Sequence, residues 1–305
     1  MSIHSLRLSP RAAATFWSWL LVGAAILSAP ASMLIDNYAA GPNDRFQNGD
    51  NPDELIVSAF DLSGIGMTSN GRWATLIGPN TIIAANHYRP TGSVYFYADN
   101  NLSGLPVEVG VSSDTLRIGN TDLWLARLDE HVPAAISFFD YATTPISAPT
   151  FPFGPGSDFP YKNEPVFMTG RSPGGFAVVQ DQAFGTNEIS WFVEDDTSAG
   201  LGDVDAFRLD YGTNATPHES FIQSGDSGAP LLYDDGSGQL LLLAVNSYAS
   251  LTGEGDPLAS YASYVGNDAA LIDLTVAQWA AVPEPASVLL LILAGGMVTV
   301  RSRQP

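Results

Sequence analysis

The stretch Gln223 to Pro230 reads QSGDSGAP, and its centre, Gly225 to Gly228, sets Ser227 in a GDSG turn. A serine hydroxyl is a weak nucleophile at neutral pH. To become a good one it needs a general base within hydrogen-bond reach and an acid that holds the base in the right tautomer. GDSG by itself is equally an ordinary glycine-rich turn, so the nucleophile reading has to be tested by what the rest of the chain supplies.

The search for a base is short, because the chain has four histidines, His4, His87, His131 and His218. His4 lies in an N-terminal segment expected to be removed. His131 sits in the polar turn DEHVP and His218 in TPHESF, and both read as structural or surface residues. His87 ends the apolar run TIIAANH (Thr81 to His87), which places it at a strand terminus. The matching acid is Asp122, at the head of NTDLWLARLD (Asn120 to Asp129), where Leu123, Trp124, Leu125 and Leu128 draw the segment into a core. Most of the 32 acidic residues must be solvated. Asp122 is placed instead to orient an imidazole, the alternative being a plain strand-capping aspartate.

His87, Asp122 and Ser227 occur in that chain order, within AANH, DLWLARL and GDSGAP. These segments resemble the TAAH, DIALLRL-type and GDSGGP boxes of the chymotrypsin/trypsin-like serine peptidases, over roughly Leu55 to Ala281. The resemblance implies that His87 takes the Ser227 proton and delivers it to the leaving amine, and that Asp122 stabilises the imidazolium. It implies that the backbone amides of Gly225 and Ser227 form the oxyanion hole, with glycine at 225 and 228 suiting a turn that a side chain would obstruct. Asn246-Ser247-Tyr248-Ala249 resembles the family's Ser-Trp-Gly segment, which pairs with substrate backbone as an added strand, so Ser247, Tyr248 and Ala249 are expected to bind substrate. Six residues before Ser227, where trypsin-type members carry an aspartate at the pocket base, stands Phe221, a pocket or a core residue. Without an acid there, a buried Arg or Lys of a substrate would lack a partner, so an apolar or small side chain is expected before the scissile bond, unless Glu219 or His218 enters the pocket.

The chain departs from the family's pattern in several places. Asn86 intervenes between the two alanines and His87, and Ala229 replaces a glycine. There is no cysteine, so no disulfide supports the fold, and a chain of about 32.3 kDa can rely on its core instead. Ile56-Val57 is similar to the family's activated N-terminus, which pairs with the acid before the nucleophile, here Asp226, but it lies only 31 residues before His87.

Both termini read as export signals. Arg7 and Arg11 precede an apolar stretch, Ala12 to Leu27, and Ala29-Pro30-Ala31 offers small residues to a signal peptidase, so residues 1–31 read as a signal peptide. At the other end Val282-Pro283-Glu284-Pro285 precedes an apolar segment, Ala286 to Val300, and then Arg301 and Arg303. Residues 282–305 thus resemble a PEP-CTERM sorting tail, which implies a Gram-negative-type bacterium and cleavage by an exosortase. The apolar segment spans roughly 22 Å as a helix, short for an unaided membrane crossing. An uncleaved anchor is the alternative at either end, and membrane contact is expected through these segments alone.

Cutting at 31 and 281 leaves eight basic against 31 acidic residues, a net charge of −23, which repels nucleic acid and anionic membranes. No cofactor is expected and no metal site, since spacing such as D-x-D-x-D-G is missing.

Short apolar runs separated by Gly, Pro, Asn and Asp predict an all-β chain. The strand-like runs are Leu55 to Phe60, Trp73 to Ile77, Thr81 to Ala85, Ser93 to Tyr97, Asp122 to Leu128, Val166 to Thr169, Ala177 to Gln180, Ile189 to Val193, Ala206 to Leu209, Pro230 to Tyr233 and Leu240 to Val245. The resemblance implies two six-stranded antiparallel β-barrels with the site between them, and Asp273 to Ala281 reads as a short C-terminal helix closing the second. Residues 32–54 read as a polar arm or pro-segment, 55–281 as the peptidase domain, and Pro145 to Pro160 as a linker. The function expected is that of an exported serine endopeptidase at the cell surface or outside the cell, acting on protein or peptide substrates. The alternative is a surface binding or structural protein on a peptidase scaffold.

Overall fold

WATLIG and TIIAA lack any apolar–polar alternation, the mark of strands covered on both faces. In the computed structural model, which describes residues 31–46, 52–147 and 158–281, every residue of these two strands is buried. Apart from Ala31, the expected signal peptide lies outside the described residues, as do the sorting tail and most of the expected linker.

The strands of the first body are β2 (Ile65–Thr68), β3 (Trp73–Gly78), β4 (Thr81–Ala85), β5 (Ser93–Phe96), β6 (Val107–Arg117) and β7 (Leu123–Leu128), following a short β1 (Leu34–Ile35) in the N-terminal arm. They close into a barrel in the order β2-β3-β4-β7-β6-β5. Alternate residues of β3 and β4 divide between two apolar clusters. Ala74, Leu76, Ile82 and Ala84 join Val94, Phe96 and Ala126 within the first body. Trp73, Ile77, Ile83 and Ala85 join a larger cluster with Leu231, Val245 and Phe207 of the second. The common core on that face fixes the two bodies against each other and brings together the strand ends that carry the site.

The second body contains β8 (Pro165–Gly170), β9 (Ala183–Glu188), β10 (Trp191–Asp196), β11 (Val204–Asp210), β13 (Pro230–Asp234), β14 (Leu240–Leu251) and β15 (Pro257–Tyr264). They form a seven-stranded sheet in the order β10-β11-β15-β14-β13-β8-β9. It curls so that β9 approaches β11, and it wraps an aromatic cluster in which the Phe207 and Tyr264 rings lie 4.8 Å apart and Phe192 packs edge-on to both. The short β12 (Ser220–Phe221) pairs with β1 from the arm. The fold is therefore all-β, with a closed six-stranded barrel, a second curled sheet and one C-terminal helix of three turns.

Three local expectations are corrected. Leu55 to Phe60 folds as successive turns, the Ser58 amide bonding to the Leu55 carbonyl, Phe60 to the Val57 carbonyl and Ile56 to the Pro42 carbonyl, rather than to a neighbouring strand. Ala177 to Gln180 is a single 3₁₀ turn at Val178–Gln180. The helix α2 (Ala269–Ala280), which follows a one-turn α1 (Ala40–Asn43), does not close the second body. It packs against β3 and β4 of the first, where the Asn80 amide donates to the Trp279 carbonyl at 3.1 Å.

The arm from residue 31 to 46 is built into the structure. The Met33 amide donates to the Arg171 carbonyl and the Asp36 amide to the Glu219 carbonyl. Arg45 is buried and bonds to Ile65, Tyr97 and Asn100 of the first body and to Gln182 of the second. Among the described residues no helix is long and apolar enough to cross a membrane.

Candidate active site

β4 and β7 pair with Ala85 opposite Leu123, so the register carries Asn86 opposite Asp122 and brings His87 one residue beyond it. Asn86 opens a 3₁₀ turn, Asn86–Tyr88, that redirects the chain as β4 ends, and its amide donates to the Asp122 carbonyl at 2.6 Å. The extra residue in the histidine box is thus accommodated by the turn. The His87 amide then donates to Asp122 Oδ1 at 3.0 Å, and Nδ1 lies 2.8 Å from Oδ2 and 3.0 Å from Oδ1. The Ser247 hydroxyl donates to Oδ2 at 2.5 Å. A carboxylate with a fully buried side chain is tolerated only when bonded in this way, and these bonds set the imidazole's plane and tautomer.

His87 Nε2 lies 2.9 Å from Ser227 Oγ, which also reaches the Ser247 carbonyl at 3.3 Å. The loop bearing Ser227 is held in place on several sides. Gly225 (φ 107°) and Gly228 (φ 92°) adopt left-handed backbone that side chains disfavour. The buried Trp73 indole donates to the Gly225 carbonyl at 2.9 Å. The Asp226 carboxylate takes amide hydrogens from Arg171 and Gln223, each at 2.7 Å. Among the described residues no acceptor takes up the amide hydrogens of Gly225 or Ser227, which leaves two donors free beside the hydroxyl.

Below the loop lies a buried charge cluster. Burial pushes the Asp226 carboxyl up to about 7, against the lowering pull of the amides and of Arg171. Arg171 pairs with Asp181 at 2.9 Å, and burial raises Asp181 and Asp44 as well. In the Ile56-Val57 run the Ile56 amide bonds to the Pro42 carbonyl and Val57 is buried in the core.

A pocket of about 560 Å³ opens at Ser227. Phe221, Ser247, Tyr248 and Ala249 line it together with Leu34, and no charged side chain does. Tyr248 is fixed as a wall, its ring stacked on Tyr261 at 4.4 Å and its hydroxyl donating to Asp196, and burial together with that bond raises its pKa. Glu219 does not enter the pocket: it is fully buried, and its carboxylate accepts from the amides of Gly212 and Thr213 and from the Thr213 hydroxyl. His218 does not line the pocket either, and His131 stands on the surface away from the triad. Leu34 escaped sequence reasoning because it reaches the pocket only through the β1–β12 pairing, to a strand almost 190 residues later (Leu34 opposite Phe221). Among the described residues no cluster of three or more His, Asp or Glu is arranged to hold a metal.

No family model matches the chain, and no curated protein matches it. Among solved structures the chain is similar to a mutant of human heparin binding protein (CAP37), with 15% sequence identity over 70% of this chain and 90% of that one, and a TM-score of 0.47.

Proposed function

We propose that the chain is an exported serine endopeptidase. The observation that carries this reading is the unbroken hydrogen-bond chain Asp122–His87–Ser227 at the mouth of a pocket without charge. In this reading Ser227 Oγ attacks the scissile carbonyl carbon while its proton passes to His87 Nε2, and Asp122 stabilises the imidazolium through Nδ1. The amides of Gly225 and Ser227 receive the oxyanion, each contributing on the order of 3 kcal/mol to the transition state. Collapse of the intermediate expels the amine, which takes the proton from His87 and leaves an acyl-Ser227 ester. Water, deprotonated by the same imidazole, then hydrolyses the ester and restores the serine. Treatment with a fluorophosphonate tests the reading: wild-type protein should be labelled at Ser227 and Ser227→Ala should not, whereas an unlabelled wild type would leave a binding protein on this scaffold.

The apolar pocket supports cleavage after Leu, Phe or Ala in preference to Arg or Lys. Leu34→Asp, which introduces an acid beside Phe221, should raise kcat/KM for Lys or Arg peptides by about 10-fold or more relative to Leu peptides, as a partner now meets the buried cation. Equal ratios in wild type and variant would remove Leu34 from the specificity site.

Export, release by signal peptidase and exosortase processing belong to the same proposal and rest on the terminal sequences. Mass spectrometry of native protein should find a start near Ser32 and no peptide from Ala286 to Pro305. An intact C-terminus on mature surface protein would defeat the sorting reading.

A further inference from the structure

A recess of about 300 Å³ lies beside His87, lined by Asn86, His87, Arg117, Asn120 and the loop from Gly200 to Gly202, and it shares no lining residue with the apolar pocket. We propose that it is a second substrate subsite, in which Arg117 receives a carboxylate of the bound polypeptide. This rests on the peptidase reading and adds a substrate class to it: acidic sequences around an apolar cleavage residue.

The recess is assembled from both bodies. The connection between β10 and β11 reaches across to the turn between β6 and β7, where the Asp203 amide donates to the Asn120 carbonyl at 3.0 Å and the Asn120 side-chain amide donates to the Asp203 carboxylate at 3.1 Å. Arg117 joins this clasp through carbonyls alone. Its Nε donates to Thr121 at 2.8 Å, and its Nη2 to Leu201 at 2.9 Å and Asn120 at 3.0 Å. Three carbonyls therefore fix the guanidinium in one plane, and Nη1 has no acceptor among the described residues. The acid that approaches the clasp, Asp203, is engaged by Asn120. A half-buried guanidinium held rigid and lacking a counter-charge is a ready receptor for a carboxylate, since little ordering is left to be done on binding.

The surrounding charges point the same way. Arg127, Arg171 and Arg208 each pair with a carboxylate elsewhere in the fold. The three arginines around the His87 turn do not, among the described residues. Arg72 bonds to the Arg89 carbonyl and lies over the Tyr88 ring, and Arg89 bonds to Asn86 and lies over Trp124. Arg117 is the third. In a chain carrying 32 acidic residues against 12 basic ones, cations without acid partners around the candidate histidine make a local positive field within a negative surface, which draws an anionic segment towards the site.

The test uses peptides with Leu before the scissile bond and a single Glu or Gln at each of the three positions on either side. Binding to Ser227→Ala reads the subsite without turnover. At one position or more, the Glu peptide should bind about 10-fold tighter than its Gln counterpart at low salt, with the gap shrinking at about 0.5 M salt. Adding Arg117→Gln should abolish the difference, and Arg117→Lys, which keeps the charge but not the fixed fork, should restore part of it. Equal affinity for Glu and Gln peptides at every position overturns the subsite, and so does a preference that survives Arg117→Gln. If fluorophosphonate labelling fails while the Arg117-dependent preference for Glu holds, the peptidase reading falls and the carboxylate site stands.

Discussion

Ser227→Ala should lower peptide hydrolysis by about 10⁴- to 10⁶-fold, and His87→Ala by a similar factor, because nucleophile and base of the proposed triad act as a unit. The double variant should be hardly worse than either single one, since each removal already leaves only the oxyanion donors and the binding pocket. The two changes differ in what they do to the fold. Ser227 is partly exposed and its hydroxyl reaches only His87 and the Ser247 carbonyl, so its loss should shift stability by no more than about 0.5 kcal/mol. Removing the His87 ring takes a hydrogen bond from the buried Asp122, which keeps the His87 amide and the Ser247 hydroxyl; a loss of about 1 to 3 kcal/mol is expected. Rate assays and thermal unfolding on the same preparations check both parts. If His87→Ala kept full activity and His218→Ala lost it, the base would have been misassigned.

How much of this site could be read from the chain depends on where each contact comes from. His87 and Asp122 sit at the ends of strands whose largely apolar runs reflect burial on both faces, so residue type and strand position together single them out. Ser227 lies in a turn with glycines where the backbone is left-handed, a local signal that survives without any tertiary information. Leu34 and Arg117 carried no such signal. One enters its pocket through pairing with a distant strand, and the other is poised by two carbonyls of its own turn and one, Leu201, from a loop of the opposite body. The strand β6 was missed because its outward residues are polar and one face is open to solvent, which erases the apolar run. Leu55 to Phe60 misled in the reverse direction: Leu55 and Val57 are buried as expected of a strand, but their burial is achieved by turns. The helix α2 was recognisable as a helix, while the body it packs against was settled by long-range contacts.

The buried charges under the nucleophile loop lead to a stability prediction with an unusual pH dependence. Arg171 is the cation paired with Asp181, and its charge also pulls Asp226 down, so Arg171→Gln, which keeps the backbone amide bonded to Asp226, removes the one positive charge that offsets these two buried carboxyls. Breaking a buried pair in this way costs about 3 to 5 kcal/mol. The cost should be largest near pH 8. The folded-state pKa of Asp226 is raised to about 7, and those of Asp181 and Asp44 are raised too, so the folded protein takes up protons as pH falls through 7 while the unfolded chain stays ionised until near 4. The stability contributed by these groups is therefore fully present at acid pH, below the unfolded carboxylate range, and is lost as pH rises through about 7. Overall acidity pushes in the same direction through charge repulsion, so the comparison that isolates the cluster is Asp226→Asn, which removes one titration and keeps an oxygen to accept an amide hydrogen. Denaturant unfolding between pH 5 and pH 8 should show wild-type stability declining with pH, a shallower decline in Asp226→Asn, and a smaller penalty for Arg171→Gln at the acid end. An unchanged slope in Asp226→Asn, or an Arg171→Gln penalty independent of pH, would mean that Asp226 is already ionised in the folded protein and that its two amide bonds, together with the Arg171 charge, outweigh its burial.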